Sequence, residues 1–176
     1  MDKNAIGALK NKIRDVPDFP KPGIVFKDIT TLLQDAIAFH AAIDLMVEMC
    51  AACPADKVVA IESRGFIIGG VLADRLGLGF VPVRKPGKLP HKTLRASYQL
   101  EYGEDSLEIH EDALAKGERA LIVDDVIATG GTARAVGDLV ASLGASVSGY
   151  AFLIELGFLH GRERLAGHEI LSLIEY

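Results

Sequence analysis

The chain has 176 residues, which favours one domain with a full hydrophobic core. Its hydrophobic fraction of 49% and charged fraction of 24% are ordinary for a globular protein, and with 6% aromatics and no Trp the core must be packed by aliphatic side chains. A net charge of -5 argues against nonspecific nucleic-acid binding, which needs a basic face, while leaving room for a local basic pocket.

In chain order, Met1 to Arg14 lacks the apolar core of a signal peptide, and Asn4 to Arg14 reads as a short amphipathic helix with Ile6, Leu9 and Ile13 on one side. Asp15 to Gly23 is expected to be irregular, stiffened by Pro17, Pro20 and Pro22 into a fixed wall rather than a tether. Ile24-Val25-Phe26 then presents apolar side chains and backbone edges. Asp35 to Ala52 reads as a helix. Its end carries Cys50 and Cys53, which lack a second pair or a His motif and are therefore packed thiols rather than half a zinc site. A reducing compartment suits them.

Lys57 to Ile61 is a short strand leading into Glu62-Ser63-Arg64-Gly65, and a helix follows over Phe66 to Leu76. Phe80 to Val83 is the next strand, ending at Arg84-Lys85, and Pro86 to Leu94 is a loop. Ala96 to Leu100 and Ser106 to Ile109 are strand pieces flanking an exposed turn, Glu101-Tyr102-Gly103-Glu104-Asp105. Ala120 to Val123 is a buried strand, and its following helix carries Ala133, Val136, Leu139, Val140 and Leu143 on one face. Gly144 is placed to stop that helix. Ser146 to Ile154 is a strand, Gly157 to Leu165 a turn with a short helix, and His168 to Ile174 the last strand. Strands alternating with helices give an α/β fold: a mainly parallel twisted sheet with helices on both faces. There is no linker, so residues 1–176 are expected to form one domain. No run of about 18 apolar residues occurs, and a cytoplasmic protein without membrane contact is expected.

The most informative stretch is Arg119 to Thr132. An apolar strand ends in Asp124-Asp125, and four residues on, Ala128-Thr129-Gly130-Gly131-Thr132 opens a helix. Free N–H groups at a helix start attract phosphate, Gly130 and Gly131 let several such groups converge, and Thr129 and Thr132 add hydroxyl donors. Successive strand residues face opposite ways, so one Asp should lie over the ligand crevice while the other braces the loop. In a parallel sheet the strand ends bring this cradle to Ser63, Arg64 and Gly65 and to Arg84 and Lys85. Arg forks two phosphate oxygens and Lys acts as a point charge, so the three loops together suit a sugar carrying several phosphates.

On these residues the chain resembles the type I phosphoribosyltransferases, whose diphosphate-sugar motif is matched from Leu121 to Thr132. The resemblance extends over Phe19 to Ile29, Glu62 to Phe66, Arg84 to Pro90 and Leu100 to Gly103, segments that are similar to the adenine-specific members. Lys27 departs from the pattern, which has Arg there. The resemblance implies transfer of the 5-phosphoribosyl group of 5-phosphoribosyl-1-pyrophosphate (PRPP) to adenine, giving AMP and pyrophosphate in purine salvage. It implies a homodimer, and magnesium carried mainly by PRPP and water near Asp124 and Asp125.

It also implies roles. Ala128, Thr129, Gly130, Gly131 and Thr132 grip the 5-phosphate, and Asp124 and Asp125 take the ribose hydroxyls. Arg64, with the Ser63 backbone, and Lys85 hold pyrophosphate, with Arg84 and Lys88 as lesser candidates. Val25 offers backbone to adenine, Phe26 and Ile127 offer faces, and Lys27 lies beside them in a hood formed by about residues 1–34. Glu101, next to Tyr102, handles the proton at the base and joins Arg64 as a catalytic candidate. A non-proline cis peptide is implied within Glu62-Ser63-Arg64. A transferase for another base and a PRPP-sensing regulator are the competing readings. The first is disfavoured by the Phe19–Ile29 segment, the second by length and charge. A Walker-type ATPase is excluded because no such loop is present.

Overall fold

The computed structural model describes residues 3–100 and 103–176. The chain divides into two compact units, Met1–Leu45 and Met46–Tyr176.

In the first unit, helix α1 (Lys3–Lys10) buries Leu9 and ends short of Arg14, to which periodicity extended it. Residues 14–17 are not irregular either. Strand β1 (Arg14–Pro17) pairs antiparallel with β2 (Val25–Asp28), with Arg14 opposite Asp28 and Asp15 opposite Lys27. Both pairs carry opposite charges and both close, Arg14 to Asp28 at 2.5 Å and Lys27 to Asp15 at 2.7 Å. Cross-strand pairs of this kind stabilise a ribbon that hydrophobic alternation does not reveal. The connection is held by the Gly23 N–H donating to Asp18 Oδ1 at 2.8 Å, and its Phe19–Pro20 bond is cis. A short helix α2 (Thr30–Leu33) follows. Helix α3 (Ala36–Cys50) begins where Asp35 Oδ1 accepts the N–H groups of Ile37 and Ala38, and it runs on into the second unit.

The second unit is built on β3 (Lys57–Ile61), β4 (Gly79–Val83), β7 (Arg119–Ile127), β8 (Ser146–Glu155) and β9 (Ile170–Glu175). They form one sheet in the order β4-β3-β7-β8-β9, every neighbour parallel. Helix α4 (Arg64–Leu76) covers one face: a Cβ at Gly69 would overlap the Cβ of Ala60 at 2.6 Å, so only Gly lets helix and strand approach this closely. Helix α5 (Gly131–Ser142) covers the other, where Ala133, Val136, Leu139 and Val140 join Val59, Ile61, Ile122, Tyr150 and Phe152 in one buried cluster. The hairpin β5 (Thr93–Leu100) and β6 (Gly103–His110) adds Leu107 and Ile109 to the same cluster. The helix-covered parallel sheet is therefore as expected, and Gly144 leaves α5 with a φ of 76°.

One boundary differs from expectation in a way that matters. Strand β7 does not end at Val123 but continues through both acids to Ile127, paired with β8 as far as Glu155. Pairing with β3 stops at Val123, but the β8 ladder carries the strand on where its side chains turn polar, which local hydrophobicity cannot register. Residues 157–165 form two short 3₁₀ turns, Gly157–Leu159 and Gly161–Leu165.

Candidate active site

The carboxyl end of β7 passes through Ala128 and Thr129 into Gly130, which caps α5 with a φ of 78°. This turn requires glycine twice. The φ lies in the left-handed region, and a Cβ at Gly130 would run into the carbonyl oxygen of Gly161. Reciprocally, a Cβ at Gly161 would run into the Ala128 carbonyl, so the two backbones lie against each other with no side chain between. Sequence reading gave Gly161 no role. Its only signal is its type, since just a glycine can back a loop this closely. The result is a cavity of about 80 Å³ lined by Asp124, Val126 and the run Ile127 to Ala133. The unpaired N–H groups of the first turn of α5 and the Thr129 and Thr132 hydroxyls belong to this rim, which is the donor set an anion needs.

Asp124 and Asp125 face opposite ways, as alternation requires. Asp125 is 6% exposed and accepts the Arg64 Nε–H at 2.5 Å. Asp124 lines the cavity, and its Oδ1 accepts the Asp125 N–H at 2.8 Å. Loss of hydration and the neighbouring Asp125 charge push the Asp124 carboxyl well above the ordinary carboxylate range, with Arg64 opposing only in part. Space beside it is set by Gly65, where a Cβ would stand 2.8 Å from Asp124 Oδ1. The same alternation sets apart the two apolar residues beside the acid. Ile127 is 2% exposed and belongs to the core cluster, whereas Val126 is partly exposed and follows Asp124 on its side of the strand. Both line the cavity, Val126 with the more open surface. The buried Ile at the strand's last position anchors it.

The other two strand ends are tied together by Glu62, a residue that sequence reading passed over. Its Oε2 accepts the Arg84 Nε–H at 2.8 Å and its Oε1 accepts the Lys85 backbone N–H at 2.8 Å. The Glu62–Ser63 peptide is cis, at the expected position, and Ser63 is an exposed N-cap of α4. Arg84 also donates to the Lys88 carbonyl at 3.2 Å and lies 5.9 Å from the centre of the Phe66 ring. This guanidinium is occupied in bracing its own loop, while the Lys88 side chain is exposed. Lys85 Nζ sits 2.8 Å from Asp105 Oδ2, which raises the lysine pKa and lowers that of the aspartate. Asp105 is therefore not part of an exposed turn, as its surroundings in sequence suggest, but a β6 residue opposite Tyr98. The Tyr98 hydroxyl donates to Asp105 at 3.4 Å.

In the first unit, Val25 is 47% exposed and Phe26 stacks edge-to-face on Phe19 with ring centres 5.3 Å apart. Lys27, the departure from the family pattern, places its ammonium on Asp15. Glu101 and Tyr102 lie outside the described residues. Among the described residues no three His, Cys, Asp or Glu side chains converge as a metal cage, and no helix is long and apolar enough to cross a membrane.

A parallel sheet with an anion cradle, a paired acid and two cationic loops at one edge defines a protein built for a phosphorylated sugar. Residues 30–166 match the phosphoribosyl transferase domain, and the chain belongs to that family. It is 60% identical over 168 residues to the adenine phosphoribosyltransferase of Symbiobacterium thermophilum, covering 96% of this chain and 99% of that one. Among solved structures it resembles the adenine phosphoribosyltransferase of Thermoanaerobacter pseudethanolicus with a TM-score of 0.95 and 54% identity, over 97% and 99% of the two chains. It also resembles the Saccharomyces cerevisiae enzyme complexed with an imino-altritol bisphosphate and adenine, with a TM-score of 0.91 and 40% identity over 98% of this chain and all of that one.

Proposed function

We infer that this protein is an adenine phosphoribosyltransferase, moving the 5-phosphoribosyl group from PRPP to adenine and releasing AMP and pyrophosphate. The observation that carries the inference is the glycine-backed cradle at the start of α5 with Asp124 on its wall, in a chain 60% identical to an enzyme of that name along nearly its whole length.

Cleavage of the C1–pyrophosphate bond builds positive charge on the ribose ring and negative charge on the leaving group, and the site must favour both. Ala128 to Thr132 hold the 5-phosphate through backbone N–H groups and hydroxyls. Asp124 accepts the ribose hydroxyls and lies on the side where ring charge develops, while Asp125 acts through Arg64, which it orients. Arg64, the Ser63 backbone and Lys85 receive the diphosphate. Arg84, committed to Glu62, shapes that loop. In the N-terminal hood, Val25 backbone groups and the Phe26 ring take the base, and Glu101 with Tyr102 handles the proton at its ring nitrogen and keeps water from the sugar cation.

Magnesium fits this donor set. It prefers one or two carboxylates with substrate phosphates and its own waters to an all-protein cage, and Asp124 on the cavity wall is the carboxylate that would help hold it. When bound with PRPP it neutralises charge on the leaving group. The resemblance further supports a homodimer and a cytoplasmic role in purine salvage. The test is one assay: purified protein, PRPP, magnesium and each nucleobase in turn, with pyrophosphate release measured. Product from adenine alone is expected. Turnover of another base in its place, or PRPP binding without turnover of any base, overturns the reading.

A further inference from the structure

We propose that Asp105 is a positioning residue that holds Lys85 as a substitute for the substrate's diphosphate and surrenders it when PRPP binds. The proposal rests on the function inferred above.

The ion pair is suited to exchange. Lys85 and Asp105 meet at 2.8 Å with side chains 57% and 23% exposed, so the contact is half-solvated and weak. A diphosphate offers the ammonium more charge and more acceptor oxygens than one carboxylate does. Lys85 is a compact charge on a flexible stem and can turn from one partner to the other without moving its backbone, which Glu62 fixes through the Lys85 N–H. Asp105 is not orphaned by the exchange. Its Oδ1 accepts the Ser106 N–H at 2.8 Å and its Oδ2 retains the Tyr98 hydroxyl at 3.4 Å. A carboxylate with its remaining bonds already made loses little when the lysine leaves.

The same acid lies on a route between the two phosphate loops. Tyr98 and Asp105 face each other across the β5–β6 hairpin. Tyr98 lines a cavity together with Gly131 of the 5-phosphate cradle. Hairpin position is thereby referred to both ends of the sugar phosphate. Because Asp105 competes for Lys85 with whatever diphosphate is present, it must oppose PRPP and pyrophosphate equally and leave adenine untouched. Once pyrophosphate dissociates, Asp105 recaptures Lys85.

The test uses Asp105→Asn, which keeps the shape and one acceptor oxygen for Ser106 N–H, with an amide NH2 facing the Tyr98 oxygen, but removes the charge. Expected are decreases of about two- to fivefold in both the KM for PRPP and the inhibition constant of pyrophosphate, the size of a half-exposed ion pair, with the KM for adenine unmoved. Asp105→Glu should restore wild-type constants, and Asp105→Asn should have no effect in a Lys85→Met background. Should Asp105→Asn not fold, Asp105→Ser removes the same charge and is read in the same way. Constants for PRPP and pyrophosphate that stay put, or that rise together with the adenine KM, overturn the role of Asp105. Wild-type protein that turns over no adenine overturns the proposed function itself, which separates the two failures.

Discussion

Gly130→Ala is the sharpest test of how the cradle is built. Two penalties add at this position. A φ of 78° puts an alanine in the left-handed region, at about 1–2 kcal/mol, and its Cβ meets the Gly161 carbonyl oxygen, an overlap between two backbones that costs about 1–3 kcal/mol. Stability should fall by about 2–5 kcal/mol, leaving a typical domain folded. Gly77 isolates the first penalty. It has a φ of 67° with nothing within 4 Å of a Cβ, so Gly77→Ala should cost only about 1–2 kcal/mol. The kinetic contrast should be wider. Relief of the Gly130 overlap moves the loop and misaims its N–H groups, and one lost charge-assisted bond to phosphate, about 1.5–3 kcal/mol, raises the KM for PRPP roughly 10- to 100-fold. Gly77→Ala should leave that constant alone. Urea unfolding followed by circular dichroism, with PRPP saturation curves, measures both. If Gly130→Ala costs no more than Gly77→Ala and binds PRPP normally, the close backing of this loop on Gly161 is not what forms the anion site.

Three further substitutions probe the carboxylates and their partners. Asp124→Asn should lower turnover yet stabilise the fold. Burial and Asp125 raise the folded-state pKa of Asp124 above its unfolded value, so the protonated form is favoured by folding and the wild type loses stability as pH rises past about 4. The variant's stability advantage in urea should therefore grow with pH from that point, and a constant or shrinking advantage would contradict the assigned shift. Arg64→Gln leaves the buried Asp125 carboxylate without its guanidinium. The expected loss is about 1–3 kcal/mol in urea, moderated because Arg64 is partly exposed, with a large rise in the KM for PRPP. Glu101→Ala should lower kcat strongly with only a modest change in the KM for PRPP, and unchanged turnover would remove Glu101 from the mechanism.

What could be read in advance follows a physical division. Local signals were enough wherever one face of an element is buried. Helix α5 with Val136, Leu139 and Val140 needed nothing but periodicity, and strand β3, buried from Val58 to Ile61, only its short unbroken apolar run. The cradle was legible because its chemistry is contiguous, running from Asp124 to Thr132 without help from distant residues. Elements set by charge pairing across the chain were not legible. Strand β1 depends on Arg14 finding Asp28 and Asp15 finding Lys27, and no stretch around residue 15 contains that information. Glu62 escaped for the same reason, since its two acceptors are used by Arg84 and Lys85, more than twenty residues away.

Register explains the remaining miss, and it has a consequence for the site. Ending β7 at Val123 leaves the residues beyond it free to point anywhere. Extending the strand to Ile127 fixes a period of two across five residues. Asp124 and Val126 then share one side, while Asp125 and Ile127, 6% and 2% exposed, share the other. The strand thus sorts its own residues by function: the outward pair forms a polar and an apolar wall of the cavity, and the inward pair locks the strand through Arg64 and through the core. A one-residue slip would exchange the two sets, carrying Asp125 to the cavity wall and Asp124 toward the buried side. In the observed register Asp124 Oδ1 occupies space that only a glycine at position 65 leaves open, since a Cβ there would stand 2.8 Å from it.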